Sequence, residues 1–270
     1  MKLGNHCFDF EHKSYIMGIL NVTPDSFSDG GHYQTIDRAL KQAEQMKMDG
    51  AAMIDIGGES TRPGHQKITE EEEIDRVLPV IEAIKKEIEI PISLDTYKYE
   101  VAKAGIEAGV HMINDIWGLK WDQRLAGLLA ESGTACCLMH NRDEILKEHF
   151  WDHFCKEVEE SLAIAKKAGI PSDRILLDPG VGFGKTLEQN RLVIKRLADM
   201  KRWELPILLG TSRKSVIGKT LDLPVDEREE GTIATTVYGR QCGVSVFRVH
   251  NVKANARALR MIDAILQEEC

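Results

Sequence analysis

The feature of this chain that most restricts its fold is a pattern that occurs eight times: a short apolar run, a polar loop and a segment with apolar residues at helical spacing. Each apolar run is too short for a helix and is typical of a buried strand. Strands that alternate with helices indicate a parallel sheet, and eight such units in 270 residues fit a (β/α)8 TIM barrel, which typically needs about 250 residues. The predicted strands cover residues 16–22, 51–56, 91–94, 110–113, 134–139, 174–177, 206–209 and 244–247.

The first and second loops that follow strands, residues 23–34 and 57–68, are long and contain proline and glycine at turn positions. No linker rich in Ser, Pro or Gly divides the chain, so residues 1–270 are expected to form a single domain. Residues 1–14 precede the first unit and are polar. We expect them to add a small hairpin at the base of the barrel.

Composition excludes several kinds of partner. The net charge is −8 and the charges are spread along the chain, which argues against nucleic acid. The longest apolar runs are shorter than the roughly 18 residues that a membrane span requires, and no secretion signal begins the chain. We therefore expect a cytoplasmic protein with no membrane partner, whose six cysteines are reduced.

A polar side chain lies at or next to the carboxyl end of every predicted strand. These residues are Asn21, Asp55, Asp95, Asn114, Asp115, His140, Asp178, Lys214, Arg248 and His250. Taken singly, such an aspartate is more often a cap or turn residue, Asp55 fits buried support equally well, and a lone His140 fits a satisfied core histidine. Taken together, the carboxylates, amides and cations favour one active site, because this fold builds its site at these ends.

The strand-end residues divide into two chemical sets. Asp95, Asn114 and Asp178 suit a flat heterocycle with a 2-amino-4-oxo edge, because a carboxylate accepts two parallel N–H bonds from such an edge. Lys214 can donate to the ring from the other side. The second set surrounds the first, second and eighth strands and would meet an anion: Asn21, Arg62, Arg248 and His250.

Two near-motifs are rejected. Residues 180–186 resemble a phosphate-binding loop, but that motif needs glycine, four residues and then Gly-Lys-Thr, and position 179 is Pro179. His149 and His153 have the spacing of a metalloprotease pair, but Phe150 stands where the catalytic glutamate is required. A solvated helix face is the better interpretation of that pair.

Five segments resemble the signature segments of the dihydropteroate synthase family. They are GILNVTPDSFSDGG (18–31), DIGGESTRPG (55–64), DPGVGFGKT (178–186), LGTSRKS (209–215) and RVHNV (248–252), and the resemblance runs from about residue 15 to residue 267. It implies a transferase of folate biosynthesis that condenses 6-hydroxymethyl-7,8-dihydropterin diphosphate with p-aminobenzoate. The products would be 7,8-dihydropteroate and diphosphate, and the cofactor would be Mg²⁺.

The resemblance also implies roles for individual residues. The pterin would be bound by Asp95, Asn114, Asp178 and Lys214, with Phe183 as a wall of the pocket. Diphosphate would be bound by Asn21, Thr61, Arg248 and His250, with Asn21 also a metal ligand, and p-aminobenzoate would lie beside Arg62, Pro63 and Ser215. The family suggests a dissociative substitution, for which Asp29 is a candidate to face the developing cation.

The family further implies small-molecule substrates as partners, a homodimer formed through late barrel helices, and a target of sulfonamides. The fifth unit departs from the family pattern. Many members continue after the Met-His pair with Met-Gln-Gly, whereas Asn141, Arg142, Asp143 and Glu144 follow here.

Two alternatives remain. A pterin-binding methyltransferase that acts on a corrinoid partner would share Asp95, Asn114 and Asp178, but it would have no use for Asn21, Arg62 and residues 211–215. A catalytically inactive pterin-binding homologue should have lost at least one loop or cation residue, and none is missing.

Overall fold

Eight parallel strands form the centre of the computed structural model, which describes residues 1–23, 32–60 and 67–268. They are β3 (Tyr15–Asn21), β4 (Met53–Gly57), β5 (Ile92–Asp95), β6 (Met112–Asp115), β7 (Ala135–Met139), β8 (Ile175–Asp178), β9 (Leu208–Leu209) and β10 (Val246–Val249). The order along the sheet is β8-β7-β6-β5-β4-β3-β10-β9. A parallel bridge between Leu177 and Ile207 joins the two ends, so the sheet closes into a barrel.

Helices follow the strands around the outside of the barrel. They are α1 (His32–Met48), α2 (Glu70–Glu87), α3 (Tyr99–Ala108), α4 (Arg124–Ser132), α5 (Phe150–Ala168), α6 (Leu187–Lys195), α7 (Ser215–Leu221), α8 (Glu229–Gln241) and α9 (Val252–Gln267). The predicted (β/α)8 barrel is confirmed. The seventh strand is shorter than expected, and the eighth begins two residues later, at Val246. Within the described ranges, no helix is long and apolar enough to cross a membrane.

The predicted amino-terminal hairpin is present and pairs β1 (Lys2–Leu3) with β2 (His6–Cys7) in antiparallel register. Its Leu3 and the following Phe8 are buried. Both side chains pack against an apolar cluster at the amino ends of the barrel strands, which includes Met17, Met53, Met112, Leu176, Leu208 and Val246. The base of the barrel is therefore closed by apolar side chains.

Phe8 tests this closure. Its ring packs 5.5 Å from the ring centroid of Phe10 and 4.9 Å from that of Tyr15. We expect Phe8→Ala to lower the free energy of unfolding, measured in urea, by about 3 kcal/mol because it leaves a cavity under the barrel. The exposed Lys13 supplies the control, since Lys13→Ala should change it by less than about 0.5 kcal/mol. Equal effects of the two substitutions would show that the hairpin does not seal the barrel.

Candidate active site

Above its apolar base, the interior of the barrel becomes polar. Alternate residues of a strand face the same side of the sheet. The residue two positions after each apolar residue of the base therefore also points into the barrel. Asp95 lies in register with Gly57 on one neighbouring strand and with Asn114 on the other. Buried polar residues in this part of the chain include Asp55, Ser93, Asp95, Asn114 and Asp178.

One arginine joins three strands in this layer. The Nε of Arg248 donates to Asp55 Oδ2 at 2.6 Å, and its Nη2 donates to Asp95 Oδ2 at 2.7 Å. The Nδ2 of Asn114 also donates to Asp55 Oδ2, at 3.2 Å. The guanidinium therefore connects β10 with β4 and β5, and Asp55, which is 0% exposed, holds both Arg248 and Asn114 in place.

The two carboxylates that share Arg248 retain unused hydrogen-bonding capacity. The Oδ1 atoms of Asp55 and Asp95 are buried and have no hydrogen-bond partner among the described residues. Burial raises the pKa of Asp95 to about 7, and the charge of Asp55 adds to this rise while Arg248 opposes it. The pKa of Arg248 is raised because both carboxylates outweigh the effect of its own burial. The site therefore offers buried acceptors beside a permanent cation.

Asp178 and Lys214 form a second part of the same site, and the loop of residues 179–186 holds both. Asp178 Oδ1 accepts from the backbone N of Gly180 at 2.7 Å, and Lys214 Nζ donates to the backbone O of Val181 at 2.7 Å. Lys214 Nζ also lies 4.9 Å from the ring centroid of Phe183, within cation–π range. Burial raises the pKa of Asp178 and lowers that of Lys214 to about 8.

Two glycines create room between these polar groups. A Cβ added at Gly210 would lie 3.6 Å from Lys214 Nζ, 3.8 Å from Asp178 Oδ2 and 3.9 Å from the Cβ of Arg248. A Cβ added at Gly57 would lie 3.8 Å from Asp95 Oδ2 and 3.9 Å from the Oδ1 of Asn21. A side chain at either position would occupy the mouth of the barrel. The sequence analysis missed both glycines, although each directly follows or ends an apolar strand.

Three of the remaining predicted residues belong to the described part of the chain. Asn21 ends β3 and is half-buried. The Nδ1 of His250 lies 3.0 Å from the Oγ of Ser212, which fixes the imidazole beside the loop before α7. Ser215 is exposed and begins α7. The other predicted residues, Asp29, Thr61, Arg62 and Pro63, lie outside the described residues.

A salt bridge joins the anion set and the heterocycle set in the structure. Arg248, assigned to the anion set, is paired with Asp95 of the heterocycle set. Two other strand-end residues have local roles. Asp115 accepts from the backbone N atoms of Trp117 and Leu119 at 2.8 and 2.6 Å. The buried His140 contacts Glu157 on α5, in the fifth strand–helix unit, and Lys185 in the loop before α6, in the sixth unit. Their polar character alone did not distinguish them from residues at the mouth.

Acids, an amide and cations thus line the carboxyl ends of the barrel strands, which is where enzymes of this fold build their active sites. The family model described as pterin binding enzyme matches residues 17–250. The fold and the site thus define the class of protein as pterin-binding enzymes.

Known relatives identify the family within this class. A dihydropteroate synthase from Clostridium beijerinckii is 52% identical over 268 residues, which cover 99% of this chain and 100% of the relative. A dihydropteroate synthase from Clostridium difficile, solved in the presence of pteroic acid, has a TM-score of 0.94 at 49% identity and covers 97% of this chain and 100% of that chain. The dihydropteroate synthase from Xanthomonas albilineans, solved with 4-aminobenzoic acid, has a TM-score of 0.91 at 36% identity and covers 95% of this chain and 94% of that chain. The chain belongs to the dihydropteroate synthase family, whose members are transferases of folate biosynthesis.

The shared arginine generates a stability prediction. Arg248→Met removes the cation that faces two buried carboxylates, and we expect the free energy of unfolding to fall by about 3–5 kcal/mol in urea titrations. Adding Asp55→Asn in the same chain removes one uncompensated charge and should restore at least half of that loss. A double variant no more stable than Arg248→Met would show that the Asp55–Arg248 pair is not what stabilises the polar layer.

Proposed function

We propose that this chain condenses 6-hydroxymethyl-7,8-dihydropterin diphosphate with p-aminobenzoate to form 7,8-dihydropteroate and diphosphate. The observation that carries the proposal is the arrangement around Arg248. Two carboxylate oxygens that have no hydrogen-bond partner among the described residues lie beside a cation that could meet an anionic leaving group. A heterocycle that bears a diphosphate on a short arm matches both features at once. The membership of the chain in the dihydropteroate synthase family supports the same reaction.

The pterin would lie in the space beside Gly210. Asp178 and Asp95 would accept N–H bonds from the amino and ring nitrogens, while Asn114 and Lys214 would bind the remaining ring atoms. Phe183, held near Lys214 by their cation–π contact, would form one wall. The presence of pteroic acid with the Clostridium difficile relative supports a pterin ligand of this class.

The diphosphate would meet the outer side of Arg248. A guanidinium carries five N–H groups, and two of those of Arg248 donate to carboxylates, so the others remain available for phosphate oxygens. His250, Asn21 and Thr61 would complete this part of the site. As the bond breaks, the fixed donors would stabilise the charge that develops on the leaving group.

The residues present fit Mg²⁺ as an ion that is bound jointly with the diphosphate. Within the described residues no group of three or more His, Cys, Asp or Glu side chains could hold a metal alone. Mg²⁺ commonly uses one or two protein oxygens together with substrate phosphates and water. The Oδ1 of Asn21 faces the space beside Gly57 and would serve as such a ligand. When bound, the ion would neutralise charge on the leaving diphosphate.

The amine substrate would enter beside Ser215, which is exposed at the start of α7. Arg62 and Pro63 are proposed for the same subsite. The Xanthomonas albilineans relative was solved with 4-aminobenzoic acid, which supports this substrate class. An aromatic amine is unprotonated at pH 7, so no strong general base is required for its attack.

The reaction would be a dissociative substitution at the pterin methylene. The carbon–oxygen bond breaks and its electron pair leaves with diphosphate, so the methylene and ring share a positive charge. Asp29 is proposed to face this charge. The amine nitrogen then donates its lone pair to the methylene carbon, a carbon–nitrogen bond forms, and the nitrogen releases one proton. The chain would contribute positioning and electrostatic stabilisation rather than a covalent intermediate.

We also propose that the chain forms a homodimer through its late barrel helices. Three exposed apolar or aromatic residues lie in this part of the molecule: Leu221 at the end of α7, Val225 between α7 and α8, and Tyr238 on α8. Burying them against a second copy would remove apolar surface from water.

The reaction is tested by supplying the purified protein with the dihydropterin diphosphate and Mg²⁺, with and without p-aminobenzoate. We expect diphosphate release that depends on the amine and equals the dihydropteroate formed. A Gly210→Val variant should lose about a hundredfold in kcat/KM because the added side chain enters the space between Lys214 and Asp178.

The matched control is Gly127→Val, since a Cβ at Gly127 meets nothing within 4 Å, and this variant should react at the wild-type rate. Binding of the pterin without diphosphate release from the wild-type protein would contradict the proposed reaction. That result would favour a methyltransferase or an inactive homologue.

The pH dependence of dihydropterin binding tests the roles of Asp95 and Lys214. As the pH falls below about 7, protonation of Asp95 removes an acceptor, and as it rises above about 8, deprotonation of Lys214 removes a charged donor. Affinity, measured by calorimetry, should be highest between these values and fall by up to about tenfold per pH unit on either side. Asp95→Asn should flatten the acid limb and Lys214→Met the alkaline limb. Two variants that keep the wild-type profile would contradict these roles.

A further inference from the structure

A buried lysine lies behind the loop that forms part of the candidate active site. Lys185 is 8% exposed, and within the described part of the chain no carboxylate is hydrogen-bonded to it. Its Nζ instead donates to the backbone O atoms of Gly180 at 2.8 Å and Phe183 at 2.9 Å, and it lies 2.9 Å from the Nδ1 of His140. The Nζ is therefore enclosed by the loop that begins after Asp178, and this burial lowers the pKa of Lys185 to about 7.

The hydrogen bonds of His140 determine which ring nitrogen faces this lysine. Its Nε2 lies 2.8 Å from the Oε2 of Glu157, and an ionised carboxylate can only accept. The Nε2 must then carry the proton, which leaves Nδ1 as the acceptor for Lys185. Burial lowers the pKa of His140 to about 4, so the ring is neutral at pH 7 and this arrangement is available. Glu157 is held in turn by Arg142.

The shape of the loop depends on these neighbours. Gly180 and Gly184 both adopt positive φ, at +67° and +54°. A Cβ at Gly180 would lie 1.8 Å from the backbone O of His140, and one at Gly184 would lie 2.3 Å from the backbone O of Arg142. The loop is thus pressed against the fifth unit, with carbonyl groups of its backbone turned inward toward Lys185. Without Lys185 the carbonyl of Phe183 would lose this donor, and the carbonyl of Gly180 would keep only the backbone N of Phe183, at 3.2 Å.

The outer side of the same loop holds the candidate pterin site. The backbone N of Gly180 donates to Asp178, and the backbone O of Val181 accepts from Lys214. The carbonyls of Gly180 and Phe183 therefore face Lys185, while neighbouring groups of the loop face the site. A change in the position of Lys185 would alter the backbone partners of Asp178 and Lys214 and the ring of Phe183.

We propose that Lys185 is a positioning residue for the pterin site and that His140, oriented by Glu157, is its fixed acceptor. The fifth unit then supports the sixth: Arg142 and Glu157 orient His140, His140 orients Lys185, and Lys185 shapes the loop that holds Asp178, Lys214 and Phe183. The proposal rests on the proposed function only where pterin affinity is measured. Lys185 does not act as the lysine of a phosphate-binding loop, because its ammonium is turned toward backbone carbonyls.

The first test compares Lys185→Met with Lys167→Met, which removes an exposed lysine from α5. Hydrogen–deuterium exchange of residues 179–186 in the free protein gives a readout that needs no ligand. We expect exchange in Lys185→Met to be at least about tenfold faster in this loop. The affinity for 7,8-dihydropterin should fall about ten- to a hundredfold, while the KM for p-aminobenzoate stays within about twofold of wild type. Lys167→Met should match wild type.

The second test uses two amide substitutions of the same histidine. In His140→Asn the side-chain oxygen can take the place of Nδ1 and accept from Lys185. In His140→Gln the amide can take the place of Nε2, which leaves Lys185 only its backbone acceptors. We expect His140→Asn to keep wild-type loop exchange and pterin affinity within about threefold. His140→Gln removes only the side-chain acceptor of Lys185, so loop exchange and pterin affinity should change more than in His140→Asn and less than in Lys185→Met. The comparison of His140→Asn with His140→Gln also tests the positioning role of Lys185 if Lys185→Met does not fold.

The outcomes separate this inference from the proposed function. Wild-type loop exchange in Lys185→Met, or in His140→Gln if the lysine variant does not fold, would overturn the positioning role. Equal losses in His140→Asn and His140→Gln would overturn the acceptor role of Nδ1. A wild-type protein that fails to bind dihydropterin would contradict the proposed function, and the exchange measurements would still decide whether Lys185 shapes the loop.

Discussion

The candidate site depends on one guanidinium that two buried carboxylates share inside a closed barrel. Removing three charges from water is unfavourable unless they are paired and hydrogen-bonded. Here Arg248 pairs with both acids, and Asn114 adds a donor to Asp55. The apolar base below, sealed by Leu3 and Phe8, keeps water from reaching the layer from underneath. The carboxylates and the guanidinium are therefore already desolvated in the folded chain before a ligand binds, and the site is preorganised for ligand binding.

Charge balance suggests how the two halves of the substrate would act together. Three buried acids, Asp55, Asp95 and Asp178, lie close to two cations, Arg248 and Lys214. In the proposed complex, N–H groups of the pterin would cover Asp95 and Asp178. The N–H groups of Arg248 that do not contact the carboxylates would then face the diphosphate. Binding of the heterocycle and stabilisation of its leaving group would thus depend on the same few side chains.

The sequence predicted the architecture well because the barrel is encoded in local periodicity. Short apolar runs followed by helical spacing require no knowledge of which strands are neighbours. The strand-end residues were also predictable, since a polar residue there is visible in the sequence. The pairing of Arg248 with Asp55 and Asp95 was not, because it depends on how β10, β4 and β5 are staggered around the barrel. Gly57 and Gly210 were missed because the space left by an absent side chain has no chemical signature.

Lys185 shows why a short motif does not determine a site. In residues 180–186 the order of glycines and lysine resembles a phosphate-binding loop, yet what the lysine meets depends on where the backbone carbonyls point. Here Gly180 and Gly184 adopt positive φ and pack against the fifth unit, so the carbonyls turn inward and the ammonium follows them. The contacts that determine this direction come from His140 and Arg142, more than 35 residues earlier in the chain. In a barrel, a loop that shapes the mouth is fixed as much by the neighbouring unit as by its own sequence.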